Sequence, residues 1–325
     1  MLPDQVVDYL IGRGLIGEDE PAEVSELDGG VSCSVLAVRT PTASLVVKEA
    51  LPQLRVSATW LADPGRAATE ATALALLRTI TPESLPLLLD TDESHHVLTM
   101  TKAPDHWQSW KTQLLGGFVD LDVAAQLGSV LASWHRGTQD SSALSARFVD
   151  LTGFYELRLD PFHYAVAAKH PAYAPLIEAV VEDLLASRRC LVHGDFSPKN
   201  VLVGDGRVWV VDFEVAHYGD PTFDLAFLLT HLLLKTAHLP DRRAALDACG
   251  QAFLAGYRAG GPPEVHDERL LPQIGCLLVA RVDGTSPAGY LPEDQRDVVR
   301  ELGLALLRRD VPDLHSAFLV AATSS

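Results

Sequence analysis

Apolar residues in the first hundred positions fall mostly into short runs broken by small and polar residues, the pattern of strands rather than helices. Residues 27–39 read as two apolar segments flanking a small-residue turn, residues 44–48 as a strand ending at Lys48, and residues 95–100 as another strand. One stretch differs: in 66–77, Ala67, Leu74 and Leu77 recur at helical spacing and carry Glu70 on the same helix. Pro104 cannot continue a ladder, so 101–105 reads as a break. Beyond it the period becomes helical. Val123, Leu127, Val130, Leu131 and Trp134 mark a helix ending near His135, and 224–234 is almost wholly apolar, a buried helix too short to span a bilayer. Further helices are expected at about 241–258 and 294–309, and the small-residue tail 321–325 is expected to fray.

Candidate chemistry sits downstream of residue 190. Four residues separate Asp195 from Asn200, and the apolar segments 200–203 and 207–211 flank Gly204, Asp205 and Gly206, a strong hairpin signal. Such a hairpin swings Asp212 back beside Asn200. Phosphoryl transfer from ATP to an alcohol needs this kind of set: metal ions, positive charge and a carboxylate aimed at the attacking hydroxyl. In this reading Asp195 orients and deprotonates the hydroxyl, while Asn200 and Asp212 hold Mg²⁺ on the nucleotide phosphates. The alternative is an ordinary hairpin with capping side chains. Lys48, at the end of its strand, suits the α- and β-phosphates, with Glu70 as its partner; the alternative for any Lys and Glu is a solvated surface pair. Gly29, Gly30 and Ser32 are expected in a turn just before the lysine strand, where glycines let backbone N–H groups approach phosphates; the match to G-x-G-x-x-G is poor, and the alternative is an ordinary hairpin turn.

The segment from His193 and Gly194 through Asp195 to Asn200, then Asp212, Phe213 and Glu214, then Gly219 to Asp224, resembles the aminoglycoside phosphotransferase and choline kinase superfamily, small-molecule relatives of the protein kinases. The Asp212-x-Glu214 ending and the stretch around Lys48 and Arg55, followed by Trp60 and Glu70, are similar to the methylthioribose kinase family in particular. The resemblance implies an α+β, bilobal protein-kinase-like fold, with a small β-rich N-lobe holding one main helix (1–100), a hinge (101–105) and a larger, mainly helical C-lobe (106–325). It also implies that backbone groups of Met100, Thr101, Lys102 and Ala103 meet the adenine edge and that both Asp212 and Glu214 serve the metals. Asp224 would brace the backbone of the catalytic loop together with His193, unless it serves only as a helix N-cap. The chain departs from the methylthioribose kinase pattern in having Asn200 where that family has Ser, in being shorter, and in having the single Arg281, followed by Val282, near the position of an arginine pair that touches the sugar.

Composition narrows the picture further. A chain of 325 residues is long enough for two lobes with separate cores. Cys33, Cys190, Cys249 and Cys276 are scattered without a C-x-x-C pair, and the N-terminus lacks a signal-peptide pattern, so a cytoplasmic enzyme without disulfides or structural zinc is expected. A formal charge of −17 argues against nucleic acid as a partner, and nothing suggests a membrane. Acidity alone would suit a cationic acceptor such as an aminoglycoside or choline. The acceptor is expected to lie over Asp195, between Glu214, the 153–165 segment carrying Arg158 and the 280–290 segment carrying Arg281 and Asp283. Trp107 and Trp110 could stack on a sugar or fill the core; His163, His217 and His231 show no metal-ligand spacing. Three functions compete: an ATP- and Mg²⁺-dependent kinase of a sugar-like hydroxyl, an antibiotic O-phosphotransferase, and a catalytically silent nucleotide-binding regulator. All the residues the chemistry needs are present, which disfavours the last.

Overall fold

The computed structural model describes residues 1–27, 32–55 and 60–323, so Gly29 and Gly30 lie outside the described residues. The chain forms two compact units, Met1–Trp107 with Trp209–Glu214, and Gln108–Val208 with Val215–Ser325. No described helix is long and apolar enough to cross a membrane.

The first unit is built on one antiparallel sheet. Helix α1 (Val6–Gly12) precedes strands β1 (Glu23–Glu26), β2 (Cys33–Arg39) and β3 (Ser44–Ala50); helix α2 (Arg66–Leu77) follows, then β4 (Leu88–Asp92) and β5 (Val97–Thr101), with strand order β1-β2-β3-β5-β4. Helix α1 was not evident from the sequence pattern. Its Val6 and Leu10 are fully buried and pack with Leu36, Val38, Leu45, Val47 and Val97. Side chains alternate across a strand, so with Leu45 and Val47 turned to α1, Lys48 points to the other face. Lys48 is opposite Val35 in β2 and Leu98 in β5, which fixes its position in the middle strand.

The second unit is mainly helical. Strand β6 (Gln108–Ser109) leads into α3 (Trp110–Leu115), α4 (Leu121–Thr138) and α5 (Ser142–Arg147). Asp120 caps α4 by accepting from Asp122 N at 2.9 Å. Next come a short turn α6 (Thr152–Phe154) and a π-helical segment, Tyr155–Tyr164, that carries Pro161. Helices α7 (Ala165–Lys169) and α8 (Ala174–Ala186) lead to β7 (Cys190–Val192), β8 (Val201–Gly204), β9 (Arg207–Val210) and β10 (His217–Gly219). The β8–β9 turn places Asp205 and Gly206 at φ 52° and 69°, the geometry that Asp-Gly hairpins favour. Helices α9 (Thr222–His238), α10 (Arg243–Ala259), α11 (Asp267–Asp283), α12 (Glu293–Leu307) and α13 (Leu314–Ala321) complete the unit.

Packing explains two of these helices. Helix α4 meets α10 through glycines: a Cβ on Gly128 would fall 2.1 Å from Phe253 O, and one on Gly256 would fall 2.3 Å from Ala125 O, so only glycine permits this approach. Helix α11 ends at Asp283, so Arg281 stands on the last turn of a helix and not in a loop, as does Ala280. Trp110 is fully buried and belongs to the core, whereas Trp107 stacks edgewise on Trp209 in the first unit, with ring centroids 5.6 Å apart.

Candidate active site

In the first unit, Lys48 Nζ donates to Glu70 Oε2 at 2.6 Å and to Asp212 Oδ1 at 2.5 Å. Burial alone would lower the lysine pKa, but the charges of Asp212 and Glu70 outweigh it and hold the ammonium protonated. Asp212 itself adopts φ 74°, a left-handed conformation that costs energy for a non-glycine residue. Strain of this kind persists where surrounding structure enforces it.

Glu214 is placed differently from the expected metal ligand. Its Oε2 accepts from Arg66 Nε at 2.9 Å and from Cys33 Sγ at 3.3 Å, and its Oε1 accepts from Ser32 Oγ at 2.6 Å. Arg66 spends its remaining N–H groups on the carbonyls of Ala62, Asp63, Ser32 and Leu51. Oε2 of Glu214 is thus held in a buried ion pair and Oε1 in a hydrogen bond. These contacts tie the segment after β9 to α2 and to Ser32. In the sequence Arg66 lies one helical turn before Glu70, on the same face, and that spacing is the signal for its role. Along Met100–Ala103, the sheet uses the N–H of Thr101 and Lys102, which donate to Leu87 O and Ser44 O at 2.9 Å each.

In the second unit the loop between β7 and β8 carries Asp195 and Asn200. Asp224 Oδ2 accepts from His193 N at 2.7 Å, and its Oδ1 accepts from Gly194 N at 2.9 Å. His135 Nε2 faces the same carboxylate at 3.2 Å, and its Nδ1 faces Tyr257 Oη at 2.9 Å. Burial pushes the Asp224 pKa up, but the His135 contact and the His193 interactions overcome it, so the carboxyl stays below its ordinary pKa. Asp224 therefore acts on the loop backbone as well as lying in the first turn of α9. Gly194 takes φ 77°, and a Cβ there would lie 2.6 Å from Val215 O. Asp195, 3% exposed, receives Arg158 Nη2 at 2.9 Å and Lys199 Nζ at 2.8 Å on Oδ2, and Asn200 Nδ2 donates to Asp195 O at 3.0 Å. Arg158 Nε also donates to Gly194 O at 2.6 Å, so this residue holds the loop as well as the carboxylate.

Two tentative acceptor residues separate. Arg281 Nη1 donates to Ser286 Oγ at 3.1 Å, and its Nε is buried without a partner. Asp283 instead accepts from Arg300 Nε at 2.7 Å and contacts His170 Nε2 at 2.8 Å, an ion-pair network that leaves no reason to assign it to an acceptor. Burial lowers the pKa of His163 and of His217 to about 4, and that of His231 well below its ordinary value, so all three are neutral packing residues at pH 7. Among the described residues, no group of three or more His, Cys, Asp or Glu side chains is placed to hold a metal ion.

Residues 23–266 match the phosphotransferase enzyme family. A methylthioribose kinase of Pectobacterium carotovorum subsp. carotovorum is 27% identical over 318 residues, covering 86% of this chain and 77% of that protein. Among solved structures, a choline/ethanolamine kinase family protein from Mesorhizobium loti superposes with a TM-score of 0.52 at 17% identity, covering 99% of both chains. An amicoumacin kinase solved with AMP-PNP and Ca²⁺ superposes with a TM-score of 0.56 at 14% identity, covering 97% of this chain and 99% of that one. These two likenesses place the kinase-like fold, a small antiparallel sheet unit followed by a mostly helical one. The chain belongs to the phosphotransferase enzyme family and is an ATP-dependent phosphotransferase that acts on a hydroxyl.

Proposed function

We propose that this phosphotransferase transfers the γ-phosphate of ATP, with Mg²⁺, to a hydroxyl of a sugar-like small molecule, in the manner of the methylthioribose kinases, and that it works in the cytoplasm. The observation that carries the reading is the setting of Asp195: a buried carboxylate paired with Arg158 and Lys199, on a loop whose two preceding amides are fixed by Asp224. A carboxylate so placed can accept the proton of an attacking hydroxyl and orient it. Lys48, oriented by Glu70, supplies positive charge to the phosphates, and the backbone near Ala103, just past the sheet ladder, meets the adenine.

Asp212 and Asn200 are the residues that would hold Mg²⁺. This ion takes one or two protein oxygen ligands together with phosphates and water, and a carboxylate and a side-chain amide are donors of that kind. When bound it neutralises charge developing on the phosphoryl oxygens. Glu214, with both oxygens engaged, holds the nucleotide-facing elements in place and is not assigned to the metal.

An aminoglycoside acceptor fits less well, because Lys235, Arg281, Lys199 and Lys111 all bear on His231, and such a concentration of cations repels a polycation. The test is ADP release from ATP and Mg²⁺ against methylthioribose, ribose analogues, aminoglycosides, choline and homoserine. Turnover of ribose analogues is expected. Turnover of aminoglycosides with none of any ribose analogue would reverse the order of the two readings.

A further inference from the structure

In the second unit the buried Lys235 and the part-buried Arg281 have no carboxylate partner among the described residues. Lys235, on α9, is 1% exposed, yet its Nζ reaches only the carbonyl of His231 at 3.2 Å and lies 5.9 Å from the centre of the Tyr290 ring. No carboxylate pairs with it among the described residues. Arg281, on α11, likewise has no carboxylate within ion-pair distance there; its Nε and the Tyr290 hydroxyl are both buried without partners. Burial, with repulsion from Lys111 and Arg281, lowers the Lys235 pKa to about 7. Arg281 is close enough to Asp195 to feel its charge, which connects the cluster to the catalytic loop.

A protein that buries a cation normally pairs it, because an uncompensated charge in low dielectric is strongly unfavourable. Here two cations from neighbouring helices stand with unused donors and, among the described residues, without a paired carboxylate. The whole chain carries a formal charge of −17, so the cluster opposes the overall balance. We propose that the acceptor carries an anionic group, a carboxylate or a phosphate ester, and that Lys235 and Arg281 bind it beside Asp195. The inference rests on the reading of Asp195 as the residue that orients the accepting hydroxyl. It narrows the acceptor from a sugar-like hydroxyl to a hydroxylated anion: the anionic group is clamped by the guanidinium fork and the ammonium.

The test has two arms on the full chain. In the first, calorimetry measures binding of inorganic phosphate and of ribose 5-phosphate with the nucleotide site saturated by ADP and Mg²⁺. Wild type binds. Lys235→Met and Arg281→Gln, checked for folding by circular dichroism, weaken binding about tenfold or more, as expected for loss of a charge-assisted hydrogen bond, and Arg281→Lys recovers part of the loss. Absent binding, or binding indifferent to these variants, overturns the proposal. In the second arm, ADP release is compared for ribose, ribonate and ribose 5-phosphate, and for glycerol, glycerate and glycerol 3-phosphate. Carboxylate and phosphate members are thereby distinguished as sources of the anion. The proposal expects an anionic member to exceed its neutral partner in kcat/KM, with the variants raising acceptor KM and leaving ATP KM unchanged. A neutral member used as well as the anionic ones overturns it while the kinase reading stands. Equal loss of kcat for neutral and anionic acceptors also overturns it, because the cations would then serve the transferring phosphoryl group. Wild type that releases no ADP under any condition sinks the kinase reading itself, and the binding arm still judges the anion site.

Discussion

Glu214 accepts a 2.9 Å hydrogen bond from Arg66 Nε, a residue 148 positions earlier in the chain. Both side chains are buried, at 6% and 3% exposure, so removing one leaves the other charged and unpaired in low dielectric.

Glu214→Ala is therefore expected to lower stability by about 3 kcal/mol or more without any nucleotide present, the range for breaking a buried pair. Urea unfolding of the ligand-free protein measures it. The double variant Arg66→Met with Glu214→Leu should recover most of the loss. Unchanged unfolding of Glu214→Ala, with weakened Mg²⁺-dependent ATP binding, would return Glu214 to the metal.

Asp195→Asn should lower kcat by roughly 10²- to 10⁴-fold, the contribution of a positioned general base, while nucleotide affinity changes little. Single-turnover kinetics with the best acceptor separates chemistry from product release. A variant retaining more than half of wild-type turnover, with chemistry limiting, would refute the base assignment.

Asp224→Asn replaces one of two acceptors with a donor that faces a backbone N–H of His193 or Gly194. Leaving such a buried amide unsatisfied costs about 1–3 kcal/mol, and the loop holding Asp195 loses its brace. Stability and kcat should therefore fall together. If stability fell and kcat per folded molecule held, Asp224 would be structural alone.

Lys235 gives a pH prediction of definite sign. Its pKa falls from 10.5 in the unfolded chain to about 7 in the fold, so between these values the unfolded state binds more protons and stability rises with pH. Relative to Lys235→Met, wild type should gain about 2 kcal/mol between pH 7 and pH 9, and the variant should be the more stable of the two at pH 7. Parallel pH profiles for the two proteins would show that Lys235 is not strained in the fold.

The sequence by itself determined the chemistry that is local along the chain. Asp195 and Asn200 lie on one loop, and the turn at Asp205 and Gly206 leads on to Asp212. The 66–77 helix and the 44–48 strand were equally readable, because a strand and a helix each impose a period on their own residues. Tertiary structure alone decided the partners. Glu214 had the residue type of a metal ligand, and only the packing of α2 set Arg66 against it. Lys235 appeared as one polar residue at the end of an apolar run, and its missing counter-charge became visible only once α9 and α11 were packed. Asp283 looked equivalent to Arg281 two residues away, but positions two apart on a helix point in different directions, and Arg300 claimed the carboxylate. A backbone period is written in neighbouring residues, whereas an ion pair depends on which distant surfaces the core brings together. For that reason the reaction was legible before the fold, and the ion pairs were not.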